Sequence, residues 1–309
     1  NLSKKAIYKR DKLEGNRFGL GGATFNFGGT HSSFISWTEV DTLGTQKPLF
    51  TDTAQTPAYV QIKIGSRSYR KARSYQKATL LYEADEPFRV SLKRNDSAQN
   101  YLLPASSTGM YSWSMSSEKR VRLTFDEGKF PTLYGVALDG NRGVAVDNFG
   151  MRGSSGIGFS KMRRALYSSQ QKQMNVCAIL LQYGINVVPY VINDYGYYKR
   201  GLKMQLESIK AANPGVTILV IGPSDMSRNE NGVMVSYPNV PLIRDAMREA
   251  ALETGCCFWD LYEAMGGQNS MTAWVERGYA QKDYTHFTYK GARYVGEMLF
   301  NAIQQEISQ

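Results

Sequence analysis

The sequence predicts two halves of different class. An all-β sandwich or jelly roll is expected over residues 1–142, and an α/β domain with a parallel sheet over residues 143–309. Three observations carry this expectation. Up to about residue 140, apolar residues recur at every second position in short runs. No stretch of that half has a helical period. After Gly143, continuous apolar runs alternate with segments of helical period, the signature of buried strands between amphipathic helices.

In the first half, Val60, Ile62 and Ile64 alternate with Gln61 and Lys63, and Phe88, Val90 and Leu92 with Arg89 and Ser91. Tyr111, Trp113 and Met115 alternate with serines, and Val121, Leu123 and Phe125 with Arg122 and Thr124. Each pattern buries one face and leaves the other wet. Asp85-Glu86-Pro87 and Asp126-Glu127-Gly128 read as turns between such strands. The glycines of Phe18-Gly19-Leu20-Gly21-Gly22 do not read as a dinucleotide loop, because no helix pattern follows them. His31 has no carboxylate neighbour and reads as an ordinary residue at a strand end.

In the second half, Val144 to Val146 reads as a short strand, and a glycine-serine turn, Gly150 to Gly156, leads into a helix from about Ser160 to Met174. Val176 to Gln182 reads as a buried strand. Tyr195, Tyr198, Leu202, Leu206 and Ile209 then mark one helix face, stopped by Asn213-Pro214-Gly215. Val216 to Ile221 is a third strand, Pro241 to Thr254 a helix, and Cys256 to Trp259 a short strand. Thr288 is the expected N-cap of a last helix whose apolar face is Ala292, Val295, Leu299 and Ile303. In a parallel sheet of this kind the site forms beyond the carboxyl ends of the strands.

Composition excludes several classes. The chain has 309 residues, enough for two domains with their own cores, and no apolar run long enough to span a membrane. Its net charge of +10 comes from scattered Lys and Arg without a nucleic-acid motif, so a generally basic surface is expected rather than a nucleic-acid site. With 2 His, 3 Cys and no Cys-x-x-Cys, neither a zinc site nor a disulfide framework is expected; no cofactor is expected either, and the cysteines read as small buried residues.

Asp283-Tyr284-Thr285-His286 holds the chain's other histidine three residues after a carboxylate, ahead of the last helix. A carboxylate there would fix the imidazole tautomer and stabilise the imidazolium, as a general base requires. Alone the pattern is short, and two neighbouring surface residues would read the same way. Gly153 and Asn186, the latter in Tyr183-Gly184-Ile185-Asn186, fall at the turns after the first two strands of this half. A backbone N–H at Gly153 and the side-chain amide of Asn186 are both hydrogen-bond donors.

The ordered set of a glycine turn, a Gly-x-Asn turn and a terminal Asp-x-x-His resembles the later blocks of the SGNH hydrolases, the GDSL-type esterases. Ile221 to Ser227, Trp259 to Gly267 and Asp283 to Thr288 are similar to a bacterial branch with a β-sandwich insertion, associated with exported carbohydrate or peptidoglycan acetyl esterases. The resemblance covers residues 143–309 and, more loosely, the β half. It implies a flavodoxin-like three-layer fold for the second half. It implies that His286 is the general base, Asp283 its orienting carboxylate, and Gly153 N–H with Asn186 the oxyanion hole. It also implies an acetylated polysaccharide or peptidoglycan substrate, with a periplasmic or extracellular location.

The family's first block, a Gly-Asp-Ser turn that supplies the nucleophile, does not occur in this sequence. In the family's sheet, strand one lies between the strands expected here at 144–146 and 176–182. Without it, both would carry unpaired backbone groups. The expectation is therefore that this sequence is the C-terminal part of a longer one, whose upstream part holds the first strand, its helix and the serine. Direct pairing of 144–146 with 176–182 would contradict that. Ser154, Ser155 and Ser224 are the internal alternatives, with capping the expected role of the first two. Three whole-protein readings remain: a serine-type glycan acetylesterase, a non-catalytic glycan-binding protein on the same scaffold, and a glycan O-acetyltransferase.

Overall fold

The computed structural model describes residues 17–19, 24–26, 58–63, 74–125, 131–144 and 154–308. Gly153, His31, Ala145, Val146 and the expected turn at Asp126-Glu127-Gly128 lie outside the described residues. The chain divides into two compact units, Asn1–Arg152 with Lys161–Met174, and Gly153–Ser160 with Asn175–Gln309.

The first unit is built on two antiparallel sheets. Its strands in chain order are β1 (Arg17–Gly19), β2 (Thr24–Asn26), β3 (Ala58–Lys63), β4 (Lys77–Ala84), β5 (Phe88–Arg94), β6 (Ser97–Leu103), β7 (Ser106–Ser114), β8 (Arg120–Phe125) and β9 (Thr132–Asp139). One sheet has the order β1-β9-β4-β7, the other β2-β3-β8-β5-β6. The alternation expected for β5, β7 and β8 holds: Val90, Leu92, Trp113, Val121, Leu123 and Phe125 are buried in one apolar cluster with Leu80, Val136 and Leu138. The cluster takes residues from both sheets. β4 and β9 escaped the alternation test because both faces are covered. On β4, Leu80 and Tyr82 face this cluster while Leu81 packs with Tyr134 of β9 and with Leu166. Leu166 belongs to α1 (Arg164–Gln173), the helix expected from Ser160. That helix belongs to the first unit. Its start is tied down by Arg163, whose guanidinium donates to both oxygens of Glu83 at 2.9 and 2.7 Å.

The second unit holds a parallel sheet of order β10-β11-β14, made of Ala178–Gln182, Thr217–Ile221 and Cys257–Trp259. Ile218 and Val220 face one side, packed with α2 (Gly196–Ala212) and α3 (Val240–Glu253). Leu219 and Ile221 face the other, packed with α4 (Leu261–Met265), α5 (Ser270–Glu276) and α6 (Tyr289–Ile307). A hairpin, β12 (Ser227–Glu230) with β13 (Val233–Ser236), follows β11. Its strands carry mixed polar and apolar residues, and α4 and α5 are one or two turns long, so neither gave a usable period in the sequence.

Two expectations need correction. β10 is not a buried strand: Ala178, Leu180 and Gln182 are exposed, Leu180 by 52%. Nor are the cysteines all buried. Cys256 is, but Cys177 and Cys257 are exposed. The reason for β10 is its place in the sheet. Among the described residues nothing pairs with its outer edge. Leu180 lies opposite Leu219 in register, yet only Leu219 is packed under the helices of that face. Val144 is itself exposed and in no strand. The last helix shows the same bareness: of its residues only Gly291 is buried, and Phe300 is 61% exposed.

Candidate active site

The loop from Gly278 to Thr288 is held at both ends. Thr288 donates its N–H to Tyr279 O at 2.9 Å, and its hydroxyl accepts from Gly291 N at 3.1 Å, which caps α6 as expected. Ala280 and Phe287 form an antiparallel bridge, and Gln281 N donates to His286 O at 2.8 Å. Trp274, Tyr279, Phe287 and Tyr294 form a ring cluster beneath, with centroids 5.0 to 5.8 Å apart. Phe287 therefore anchors the residue next to His286 in apolar packing. Gly291 is required by space: a Cβ there would lie 1.8 Å from Tyr279 O.

Within this frame His286 Nδ1 and Asp283 Oδ2 are 2.8 Å apart. Asp283 Oδ1 accepts the backbone N–H groups of Thr285 and His286, each at 3.0 Å. Burial alone would raise the Asp283 pKa, but these N–H groups and the imidazole outweigh it and hold the carboxyl below its ordinary value. Making the turn this tight puts Tyr284 at φ 54°, in the left-handed region that a non-glycine residue rarely adopts. The strained residue is itself held, since Ser227 N donates to Tyr284 O at 3.1 Å. His286 is 72% exposed and its Nε2 makes no hydrogen bond among the described residues.

Two residues before Ser227, Asp225 is fully buried. Asp225 accepts from Ser236 Oγ at 2.6 Å and from Met271 N, at the start of α5, at 2.9 Å. Ser236 Oγ accepts from Asn269 N at 2.7 Å. This clasp joins the segment after β11, β13 and α5. Pattern reading of the sequence could not deliver this clasp, because its members are up to 46 residues apart.

Asn186 sits after β10, as expected, and Gly184 makes the turn. At φ +97° and with Met247 Sδ and Pro223 Cβ 2.7 and 3.3 Å from where a Cβ would be, only glycine fits. Asn186 Nδ2 donates to Ser154 O at 2.9 Å. An amide nitrogen carries two hydrogens, so one remains for another acceptor. The turn it touches is clasped onto α2: Tyr198 donates its OH to Ser155 O, and Gly158 N and Ser160 N both donate to Gln205 Oε1. Ser154 Oγ accepts from Gly156 N at 3.1 Å, a turn-capping role. The structure thus joins His286 to Asp283, and Asn186 to the residue after Gly153. Among the described residues no hydrogen bond joins one pair to the other. Ser224 is buried, and no serine is bonded to His286 among the described residues.

No protein-family model matches the sequence, and no curated protein matches it significantly. Among solved structures, a peptidoglycan O-acetylesterase superposes with a TM-score of 0.62 at 19% identity, over 93% of this chain and 78% of that one. In fold, this chain is similar to that esterase. A protein from Lactobacillus plantarum gives a TM-score of 0.40 at 18% identity, over 52% of this chain and 80% of the other. A family two carbohydrate esterase from Clostridium thermocellum, in complex with cellohexaose, gives 0.32 at 10% identity, over 82% and 93%. At those scores the last two carry no argument. Among the described residues no group of His, Cys, Asp and Glu is placed to hold a metal ion, and no helix is long and apolar enough to cross a membrane.

Proposed function

We propose that the protein is a serine-type ester hydrolase that removes O-acetyl or other short acyl groups from a glycan, without a metal. One observation carries the reading: Asp283 orients an exposed imidazole whose Nε2 has no hydrogen bond among the described residues. A histidine so held is a general base waiting for a hydroxyl. The serine hydroxyl would give its proton to His286 Nε2 as its oxygen bonds the acyl carbon. The oxyanion that forms would be bound by Gly153 N–H and the remaining Asn186 N–H. Collapse would release the sugar oxygen with the proton from His286, leaving an acyl-serine, and water activated by the same His286 would then free the acid.

The serine in this proposal rides on a further parallel strand that pairs with the outer edge of β10. An edge with unpaired N–H and C=O groups is a template for one more strand. All-parallel sheets occur with both faces covered, and Leu180 is 52% exposed. A strand followed by a helix would cover both the edge and that face. The two antiparallel sheets with their shared apolar cluster would form a β-sandwich that binds the glycan, and such a substrate implies a periplasmic or extracellular site of action. A second reading, a glycan-binding protein without catalysis, is favoured by the lack of any serine bonded to His286 among the described residues.

The test is hydrolysis of a small acetyl ester together with labelling by a fluorophosphonate, in wild type and His286→Ala. Labelling of one serine, lost in the variant, supports the hydrolase, and mapping the labelled peptide locates that serine. If the labelled serine is Ser154, Ser155 or Ser224, the added strand is refuted. No labelling in any form of the protein would favour the binding reading.

A further inference from the structure

The loop after the Asn186 turn shows apolar side chains to solvent while its backbone is held from beneath. Tyr190, Val191 and Ile192 are all exposed, Tyr190 by 72%. Consecutive exposed apolar residues gain nothing for folding and mark a surface kept for a partner. The backbone of the same residues is fixed. Tyr190 N donates to Val187 O at 3.1 Å. The hydroxyl of the buried Tyr195 donates to Tyr190 O at 2.7 Å and accepts from Ile192 N at 3.3 Å. The buried Asn239 donates both amide hydrogens here, one to that hydroxyl and one to Val188 O at 2.8 Å. Asn239 is the N-cap residue of α3, yet its side chain makes no capping bond. Its Oδ1 is buried without a hydrogen bond among the described residues. A side chain suited to capping is thus turned to shaping the loop. Tyr195 also supports a second exposed ring, Tyr197 at the start of α2, with centroids 6.2 Å apart.

Position ties the loop to the candidate site. Tyr190 is four residues beyond Asn186, so at most about 14 Å of chain separates them. The bonds from Val187 N to Gly184 O and from Val188 N to Ile185 O fold that stretch into turns. Both residues lie beyond the carboxyl end of β10, where open α/β sheets hold their ligands. We propose that this loop is a sugar subsite of the ester site, with a neutral, equatorially substituted pyranose stacked on the Tyr190 ring. That the sugar belongs to an ester substrate rests on the reading above; that it presents a flat apolar face rests on the loop alone. Such a pyranose turns its axial hydrogens outward as a flat face and keeps its hydroxyls at the rim. A tyrosine ring matches that face and loses little side-chain entropy in doing so. The charges here do not select an ionic partner. Lys199 is paired with Glu249 and Glu253, and the exposed Asp194 and Arg200 are of opposite sign. An anionic membrane surface calls for an excess of cations beside the apolar residues.

Titration of the whole chain with cellohexaose and with chitohexaose tests this, followed by the resonances of labelled tyrosine rings and of the Asn186 side-chain amide. Neither sugar carries an O-acetyl ester, so the readout does not depend on hydrolysis. Shifts at both Tyr190 and Asn186 are expected with at least one of the two. Tyr190→Ala should weaken that binding about tenfold, the loss of one stacked ring. Tyr190→Phe keeps the ring and should change it about twofold or less. Phe300→Ala, which removes an exposed ring from α6 of the same unit, should also stay within about twofold. Thermal midpoints of the three variants, compared with wild type, show whether folding is intact. No shift with either sugar, a shift at Tyr190 without one at Asn186, or equal weakening by Tyr190→Ala and Phe300→Ala would each overturn the proposal. So would binding to vesicles of phosphatidylcholine with phosphatidylglycerol that Tyr190→Ala abolishes, in place of sugar binding. Sugar binding in a protein with no labelled serine refutes the esterase alone, and ester hydrolysis with no sugar shift refutes the subsite alone.

Discussion

Replacing Gly291 by alanine puts a methyl group where the chain itself already lies. The new carbon would sit 1.8 Å from Tyr279 O and 2.7 Å from Tyr279 C. An ordinary carbon–oxygen contact is about 3.3 Å, so the start of α6 must retreat by roughly 1.5 Å. Backbone, not a flexible side chain, is what it meets. The retreat pulls on Thr288, which is bonded to the same Tyr279 carbonyl, and Thr288 is two residues from His286. Overpacking of this kind costs about 1–3 kcal/mol. For a unit of this size that is a fall of roughly 2–12 °C in midpoint. A displacement near 1 Å can also cost about 10²-fold in turnover when it moves a catalytic group. Thermal unfolding followed by tryptophan fluorescence checks the first, with Trp274 in the ring cluster as reporter. The His286 Nδ1 proton resonance checks the second. A midpoint within about 1 °C of wild type, with that resonance unmoved, would refute the close packing and with it this account of how His286 is held.

Other consequences follow from the same geometry. Because its folded pKa is depressed, Asp283 contributes stability above its unfolded pKa that is lost as pH falls through the folded value. Wild type should therefore lose more urea stability than Asp283→Asn on acidification from neutral pH to about pH 3, and parallel loss in the two would contradict the pairing. The same variant should cut ester hydrolysis by roughly 10²–10⁴-fold, since the amide no longer fixes the imidazole tautomer; steady-state kinetics reads this directly. Asp225→Ala strands Met271 N and Ser236 Oγ and should cost about 3 kcal/mol in denaturant unfolding, with faster amide exchange at Tyr284. Gly109→Ala should destabilise the first unit by about 1–3 kcal/mol in the same assay, because its Cβ would fall 2.4 Å from the Tyr82 ring across the β4–β7 pair.

About half of the described strands were legible from periodicity alone. β5, β7 and β8 alternate because one face of each meets the shared cluster, and α2, α3 and α6 keep helical stripes. β4 and β9 were not legible, since burial on both faces erases alternation. Nor was the bareness of β10: an apolar run says that a strand is made to be covered, not that it is. The Asp283–His286 pair was legible because three residues on one tight turn suffice to make it, and its bond at 2.8 Å involves no distant partner.

Sequence by itself therefore determined the strands with one wet face, the helices with one apolar stripe, the Thr288 cap and the carboxylate–imidazole pair, all of which depend on contacts within a few residues. Tertiary structure alone decided the rest. It placed the Asn186 amide on the Ser154 carbonyl across 32 residues, hung Tyr284 on Ser227, and gathered Asp225, Ser236 and Met271 into one buried clasp. Such partners meet only when strands register and helices pack, and no local period encodes that.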